Sequence, residues 1–207
     1  MQAADGVAAH YLKMPHVEPG MRVGLFGGSF NPPHQGHALV AELALQRLGL
    51  DQLWWMVTPG NPLKSRRELA PLAERIALSE AIVPGPRVRV TAFEAAFGQS
   101  YTAQTLDRIK ARNPAIRFVW IMGADNLRDF HRWQRWQHIA CTFPIAVIDR
   151  PGATLAYLSS KMAKTFDYAR VDEDHARALA FRKAPAWTFI HGPRSSLSST
   201  ALRKARR

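Results

Sequence analysis

The sequence has very little cysteine and no long apolar runs. Cys141 is the single cysteine, so an internal disulfide is excluded and a reducing compartment suits the chain. Its apolar neighbours predict an ordinary core position for Cys141. Apolar runs such as Phe143–Ile148 have the length of a strand and are too short to cross a bilayer. We therefore expect a cytoplasmic location and no membrane partner.

A secretory signal is also missing. The first residues lack a basic start followed by an apolar block, so we expect Met1–Met21 to form a poorly ordered extension. The chain has 207 residues, of which 47% are hydrophobic, enough for one sizeable core. Residues 22–207 are therefore predicted to form a single domain.

Acidic residues are outnumbered by basic ones. The chain has 16 Asp and Glu against 28 Lys and Arg, a formal net charge of +12. Such a balance attracts anions, which include nucleic acids, membrane surfaces and phosphorylated small molecules. A basic nucleic-acid-binding module is one alternative, and it would bind DNA or RNA with strong salt sensitivity. No recognition motif for nucleic acid is present, so we predict no nucleic-acid partner.

Short apolar runs alternate with segments of helical spacing. The predicted strands are Arg22–Phe26, Leu53–Thr58, Arg87–Ala92, Ile116–Met122, Pro144–Asp149 and Ala186–His191. The predicted helices are Gly36–Gly49, Pro71–Ile82, Thr102–Asn113 and a last one that starts near Ser198. This alternation predicts an α/β fold, a Rossmann-like open parallel sheet with helices on both faces. Ligands of such sheets bind beyond the carboxyl ends of the strands.

The stretch "GLFGGSFNPPHQGH" lies between the first predicted strand and the first predicted helix. Gly27 and Gly28 predict a tight turn and a close approach of the backbone to a ligand, and Ser29 adds a hydroxyl donor. Gly36 lies near the helix N-terminus, where free N–H groups and the helix dipole favour a phosphate.

His34 and His37 flank that N-terminus. If they face an anion, each ring can donate a hydrogen bond, and a protonated ring adds positive charge. Two alternatives are zinc ligation and packed structural histidines. The spacing is shorter than i, i+4 and no third ligand lies close by, while the glycine turn and the pairing argue against structural histidines. The stretch contains neither G-x-G-x-x-G nor the Gly-Lys-Ser/Thr of a P-loop.

"SSLSSTALRKARR" near the end of the chain reads as a loop that leads into a helix N-terminus. Ser198, Ser199 and Thr200 would supply hydroxyls beside free N–H groups, and Arg203 can donate two hydrogen bonds to phosphate oxygens. The alternative is a plain N-cap followed by a solvated basic tail.

These motifs resemble sequence signatures of a known protein superfamily. "GGSFNPPHQGH" is similar to the G-G-x-F-x-P-x-H-x-G-H signature of the nucleotidyltransferase superfamily, and "LSSTALR" resembles its I-S-S-T-x-I-R partner. "SYTAQTL" and "GADNLRDFHRW" resemble segments of one branch, the nicotinate-nucleotide adenylyltransferases of NAD synthesis. "TPGNPLK" resembles the lysine-bearing loop after the second strand, although it lacks the common Pro-His-Lys ending. The resemblance spans Arg22 to Arg203.

The resemblance implies that ATP and nicotinate mononucleotide react to give deamido-NAD and pyrophosphate. The nucleophile is the mononucleotide phosphate, which is ionised at pH 7 and needs no general base. The protein aligns two polyanions and stabilises charge on the α-phosphate and the leaving group. Mg²⁺ would bridge phosphate oxygens and keep several waters, so no metal-binding residue is predicted.

The resemblance also implies roles for individual residues. The predicted catalytic residues are His34, His37 and Arg203. The predicted ATP-binding residues are Gly27, Gly28, Ser29, Gly36, His37, Asp125, Ser198, Ser199, Thr200 and Arg203. The predicted substrate-binding residues are Lys64 on phosphate, Thr102 on the nicotinate carboxylate and Trp133 stacked on the pyridine ring.

Some of these residues have ordinary structural alternatives. Trp133 has Phe130 and Trp136 at helical spacing and could be a core residue. Asp125, predicted to hold a ribose hydroxyl, could be a helix N-cap. Arg150 lies at the end of the fifth predicted strand and is expected to lie near the adenine of ATP.

Three other functions remain open. A related adenylyltransferase could act on nicotinamide mononucleotide or on phosphopantetheine. "SSKMAKT", residues Ser159–Thr165, resembles the K-M-S-K-S loop of class I aminoacyl-tRNA synthetases, although the chain is too short for that core plus a tRNA-binding domain. The third is the nucleic-acid-binding module described above.

Overall fold

A computed structural model describes residues 6–60, 69–98, 101–150 and 155–193, together with Ser199 and Arg203. Its strands are β1 (Arg22–Gly28), β2 (Gln52–Val57), β3 (Val88–Thr91), β4 (Arg117–Gly123), β5 (Ile145–Ile148) and β6 (Trp187–Ile190). Its α-helices are α1 (Gln35–Arg47), α2 (Leu72–Glu80), α3 (Thr102–Arg112), α4 (Ala124–Leu127), α5 (Trp136–Thr142), α6 (Ala156–Ser159) and α7 (Lys161–Thr165). Segments of 3₁₀-helix cover Ala9–Leu12, Phe93–Phe97, Phe130–Arg132, Asp167–Ala169 and Glu173–Phe181.

The six strands form one parallel sheet in the order β3-β2-β1-β4-β5-β6. Strands that are buried on both faces need apolar side chains at every position, and β2 is accordingly buried along its whole length. One apolar cluster joins α3 and α5 to one face, and a second joins α1 and α2 to the other. The prediction of a Rossmann-like sheet with helices on both faces is confirmed.

The strand order reverses at β1. The chain moves outward through β2 and β3 and then returns to place β4 on the other side of β1. Such a switch point leaves a crevice beyond the carboxyl ends of the two central strands. Gly28 ends β1 and Gly123 ends β4, so the segments that follow these two glycines border the crevice.

The segment before β1 was expected to be poorly ordered, but residues 6–21 pack against the domain. The backbone N–H of Ala92 donates to the carbonyl of Tyr11 at 2.8 Å, and the Thr91 hydroxyl lies 3.1 Å from the carbonyls of Tyr11 and Lys13. Met14 contacts one of the two core clusters. The segment is therefore held beside β3 by hydrogen bonds and apolar contacts, which its mixed composition did not indicate.

The prediction that Cys141 is a core residue is wrong, because its side chain is exposed. Trp136, Ile139 and Ala140 form the buried side of α5, and the helical turn directs Cys141 away from them. Among the helices of the described ranges, none has the length and apolar character needed to span a bilayer.

Candidate active site

The loop after β1 differs from its predicted form. β1 continues through Gly28, which pairs with Val57, so the two glycines belong to the strand. A Cβ on Gly27 would lie 2.8 Å from the Trp120 ring, and one on Gly28 would lie 3.1 Å from the Phe30 ring. The residue in the left-handed region is Phe30, with φ of 44°. Ring packing therefore requires the glycines, while the turn itself occurs at a non-glycine residue.

The two histidines meet at the start of α1. His34 is the N-cap residue, and their ring centroids lie 3.8 Å apart. The backbone N–H of His34 donates to Nδ1 of His37 at 3.2 Å. Because Nδ1 accepts, a neutral His37 carries its proton on Nε2. Nδ1 of His34 is buried, with no hydrogen-bond partner in the described part of the chain.

Aromatic rings surround His37. The rings of Phe30 and Trp55 approach it edge-on, with centroid separations of 5.1 and 6.1 Å. Burial lowers the pKa of His37 far below its usual value, and the neighbouring His34 lowers it further. Burial and then the charge of Arg150 lower the pKa of His34 to about 4, partly offset by Asp125. Both rings are thus neutral at pH 7 and each offers one N–H. The sequence alone had left a protonated ring possible.

These shifts predict that neither histidine titrates near pH 6.5 in the ligand-free protein. NMR of the ring protons should give a midpoint near pH 4 for His34, and His37 should remain neutral through that range. A midpoint near 6.5 for either member of the pair would contradict the buried, neutral arrangement.

The ends of β4 and β5 contribute a second pair of side chains. Oδ1 of Asp125 lies 3.7 Å from Nε of Arg150, and their side chains are 54% and 12% exposed. The N-cap of α4 is Gly123, so the N-cap alternative for Asp125 is excluded. A Cβ on Gly123 would lie 2.5 Å from Oδ1 of Asp125 and 2.7 Å from Cδ of Arg150, so a larger residue here would require this pair of side chains to move. The effect of Arg150 on the pKa of both histidines places its charge within electrostatic range of them.

The C-terminal motif contacts the loop that follows β1. The Ser199 hydroxyl donates to the carbonyl of Pro32 at 2.8 Å, and Arg203 donates to the carbonyl of Asn31. Ser199 and Pro32 are 167 positions apart in the chain. The two motifs singled out in the sequence therefore meet at one place. Three other predicted site residues lie outside the described residues, namely Lys64, Ser198 and Thr200.

The two residues predicted to bind the pyridine lie on separate elements. Thr102 is the first residue of α3. Trp133 follows a 3₁₀ turn and is half-buried, with its ring edge-on to Phe130 at 5.4 Å and to Trp120 at 6.4 Å. Trp136, in contrast, is a buried residue that opens α5. Trp136 belongs to the core cluster, whereas Trp133 is only partly buried and packs against that cluster.

Glu94 and Arg75 are two of the buried charged residues that sequence reasoning missed. Glu94 accepts the Thr105 hydroxyl at 2.6 Å through Oε1, while its Oε2 is buried without a partner in the described part of the chain. Burial raises the pKa of Glu94 to about 7. The other is Arg75 on α2. The sequence did contain a sign that Arg75 is buried. The buried face of α2 has the spacing i, i+3, i+4, i+7, which corresponds to Leu72, Arg75, Ile76 and Ser79.

Comparison with known proteins gives the family. Residues 25–205 match the cytidylyltransferase-like family model, so the chain belongs to that family of nucleotidyltransferases. Within it, curated relatives named probable nicotinate-nucleotide adenylyltransferase are 74% identical over 190 residues in Rhizobium johnstonii and 71% identical over 184 residues in Brucella abortus. These alignments cover 92% and 89% of this chain, and 96% and 95% of the relatives. The chain is thus a member of the nicotinate-nucleotide adenylyltransferases.

Solved structures match the fold at much lower identity. Two structures of Plasmodium falciparum nicotinic acid mononucleotide adenylyltransferase, one complexed with APC and one with NaAD, give TM-scores of 0.64 and 0.67. Each is 18% identical, and each match covers 89% of this chain and 83% of the other. They support the Rossmann-like architecture described above.

Proposed function

We propose that the chain transfers the adenylyl group of ATP to nicotinate mononucleotide, giving deamido-NAD and pyrophosphate. The observation that carries this proposal is the contact of Ser199 and Arg203 with the loop that leads to His34. This contact brings together the two motifs that are predicted to bind phosphate, beside the switch point of the sheet, where a nucleotide is expected. The high identity to relatives of that name supports the same activity.

The chemistry of the site agrees with in-line attack by a phosphate. The attacking oxygen is already anionic, so the reaction needs alignment and charge stabilisation rather than a protein nucleophile. His37 would donate its Nε2–H toward the α-phosphate, with His34 beside it. Arg203, with Ser199, would hold the β- and γ-phosphates. Ser198, Thr200 and Lys64 retain their predicted roles as phosphate ligands.

The remaining predicted contacts concern the two nucleosides. Asp125 would accept a ribose hydroxyl, and Thr102 at the N-terminus of α3 would receive the nicotinate carboxylate, which suits the positive end of a helix. Trp133 would stack on the pyridine ring. The exposed part of its side chain and the edge-on support from Trp120 fit that role.

Mg²⁺ is expected to accompany ATP. The donors that meet here are ring N–H groups, hydroxyls and guanidinium groups, which suit phosphate oxygens rather than a metal. Within the described residues no group of three His, Cys, Asp or Glu side chains could hold a metal ion. Phosphate oxygens and water would therefore hold the ion, and it would neutralise charge on the phosphates. A cytoplasmic location and the absence of a nucleic-acid partner remain predictions.

The test is pyrophosphate release with ATP, Mg²⁺ and either nicotinate or nicotinamide mononucleotide. We expect at least a hundredfold higher kcat/KM for the acid, because the amide leaves the carboxylate receptor without its charged partner. Trp133→Ala should raise KM for the mononucleotide about tenfold, as expected for the loss of one stacking contact, and leave KM for ATP unchanged. An exposed neighbour variant, Gln134→Ala, is the matched control.

Other outcomes point to other enzymes. Preference for the amide would reassign the substrate within the family, and activity with phosphopantetheine alone would move the chain to another branch. Salt-sensitive binding of DNA or RNA without pyrophosphate release would favour the nucleic-acid-binding alternative.

A further inference from the structure

The side chain of Arg75 is buried and joins three segments of the chain. It is 1% exposed. Its Nη1 donates to the carbonyls of Ser29 and Thr58, both at 2.7 Å, and its Nε donates to the carbonyl of Ala70 at 2.9 Å. Ser29 directly follows β1, Thr58 directly follows β2, and Ala70 directly precedes Pro71 at the start of α2. The guanidinium thus fixes the backbone at Ser29 and Thr58, the points where the chain leaves β1 and β2 beside the candidate site. These two points are called the strand exits.

No carboxylate neutralises this guanidinium within the described ranges of the chain. The ion pairs found there join other residues, such as Arg22 with Asp51 and Arg150 with Asp125. Burial lowers the pKa of Arg75 to about 10, so it remains charged at pH 7. A buried cation without a counter-ion is costly even when it is hydrogen-bonded. An anion bound beside the strand exits would offset part of that cost.

The hydrogen bonds of Arg75 also orient the backbone. In a planar trans peptide the C=O and the following N–H point in opposite directions, so the N–H of Phe30 points away from the guanidinium. Thr58 and Ala70 are followed by prolines, which have no N–H to orient. The orienting effect therefore falls on the Ser29–Phe30 peptide, in the loop that leads to His34.

We propose that Arg75 is a positioning residue for the phosphate site: it holds the loop after β1 in place, and its buried charge strengthens binding of the nucleotide polyphosphate. This inference rests on the proposed function, since it requires a polyphosphate at the strand exits. Arg75 touches no reacting atom. It acts through the Ser29–Phe30 peptide and through its electrostatic field, which is weakly screened at a buried site.

Inorganic pyrophosphate and the intact protein provide the first test. Titration followed by NMR of the arginine Nε–H groups should shift the Arg75 resonance, whereas Arg22 should not move, because it is paired with Asp51 at 2.6 Å at the start of β1. Movement of the His37 ring signal without Arg75 would overturn this inference alone. No response from either group would overturn the proposed function together with it.

Two substitutions separate charge from positioning. Arg75→Gln removes the charge but keeps an amide donor. Arg75→Lys keeps the charge but loses the planar guanidinium, whose Nε and Nη1 donate to three carbonyls. We expect a pyrophosphate Kd about tenfold weaker for Arg75→Gln and about threefold weaker for Arg75→Lys. KM for ATP should rise in the same order, while KM for the mononucleotide should stay unchanged.

Arg22→Gln is the matched control, since it removes one charge from an arginine that has a carboxylate partner. If Arg75→Gln binds pyrophosphate as tightly as Arg22→Gln, then Arg75 only stabilises the fold and the proposal is wrong. If the Arg75 variants fail to fold, the NMR titration of the unaltered protein still decides the question.

Discussion

Replacing His37 with asparagine is expected to lower kcat by about 10²–10³-fold. Removing one preorganised donor from a site of developing charge commonly has an effect of this size. The asparagine carboxamide can still accept the backbone N–H of His34, which Nδ1 of His37 accepts at 3.2 Å in the structure, but it has no group at the position of Nε2. The start of α1 should therefore stay intact, while the N–H that we propose to face the phosphate is lost.

Glutamine at the same position is the matched comparison. Its longer side chain can place an amide N–H near the position of Nε2, so His37→Gln should retain activity within about tenfold of the unaltered chain. Steady-state pyrophosphate release measures both variants, and thermal unfolding checks that they remain folded. Activity that is retained in His37→Asn but lost in His37→Gln would show that the acceptor role of Nδ1, and not the Nε2 donor, supports the reaction.

The neutral state of His37 sharpens this expectation. A neutral ring donates one hydrogen bond, which an uncharged amide can reproduce, whereas an imidazolium would add charge that glutamine lacks. Burial is the main reason that the pKa of His37 is low, and a bound triphosphate would raise it. A large loss in His37→Gln that grows as pH falls would indicate that the nucleotide complex uses the protonated ring.

The architecture was readable from the sequence, because parallel strands buried on both faces must be apolar throughout. "LWWMVT" and "RFVWIM" have that form and lie within or beside β2 and β4. Strand order has no such local signal. It is fixed by contacts between distant segments, such as the pairing of Phe26 with both Trp55 and Ile121. The sequence also predicted a site near the end of β1, because the signature lies at the end of that strand. The C-terminal motif contacts the loop there, and the site itself stays a prediction.

The fine structure of the loop could not be predicted, because it depends on distant side chains. Gly27 is required by the ring of Trp120 on the neighbouring strand, a contact that spacing along the chain does not reveal. The left-handed residue is Phe30, whose ring stacks on Trp55 at a centroid separation of 4.4 Å. Burial of that ring offsets a backbone conformation that a non-glycine residue rarely adopts.

Glu94 provides the second large expected effect, which concerns stability rather than catalysis. Burial raises the pKa of Glu94 to about 7 from an ordinary value of 4.5, so the folded chain binds more protons than the unfolded chain between these pH values. The free energy of unfolding must then fall as pH rises through that window. A shift of this size corresponds to a loss of about 3 kcal/mol, complete above pH 7.

Glu94→Gln removes this titration while keeping an acceptor for the Thr105 hydroxyl. At pH 4.5 the variant should be the less stable of the two, because its amide NH₂ takes the place of the unpartnered Oε2. Between pH 4.5 and 8.5 the unaltered chain should lose about 3 kcal/mol of unfolding free energy relative to the variant. The titrations of His34 and His37, which act in the opposite direction on acidification, occur in both proteins and cancel in this difference.

Urea unfolding at several pH values measures that difference, and Glu74→Gln, an exposed carboxylate on α2, is the control. The control should shift stability by less than about 0.5 kcal/mol at every pH, as surface substitutions do. A difference between Glu94→Gln and the unaltered chain that is constant with pH would mean that Glu94 ionises near its ordinary pKa. Its buried carboxylate would then need a cationic or N–H partner in addition to the Thr105 hydroxyl.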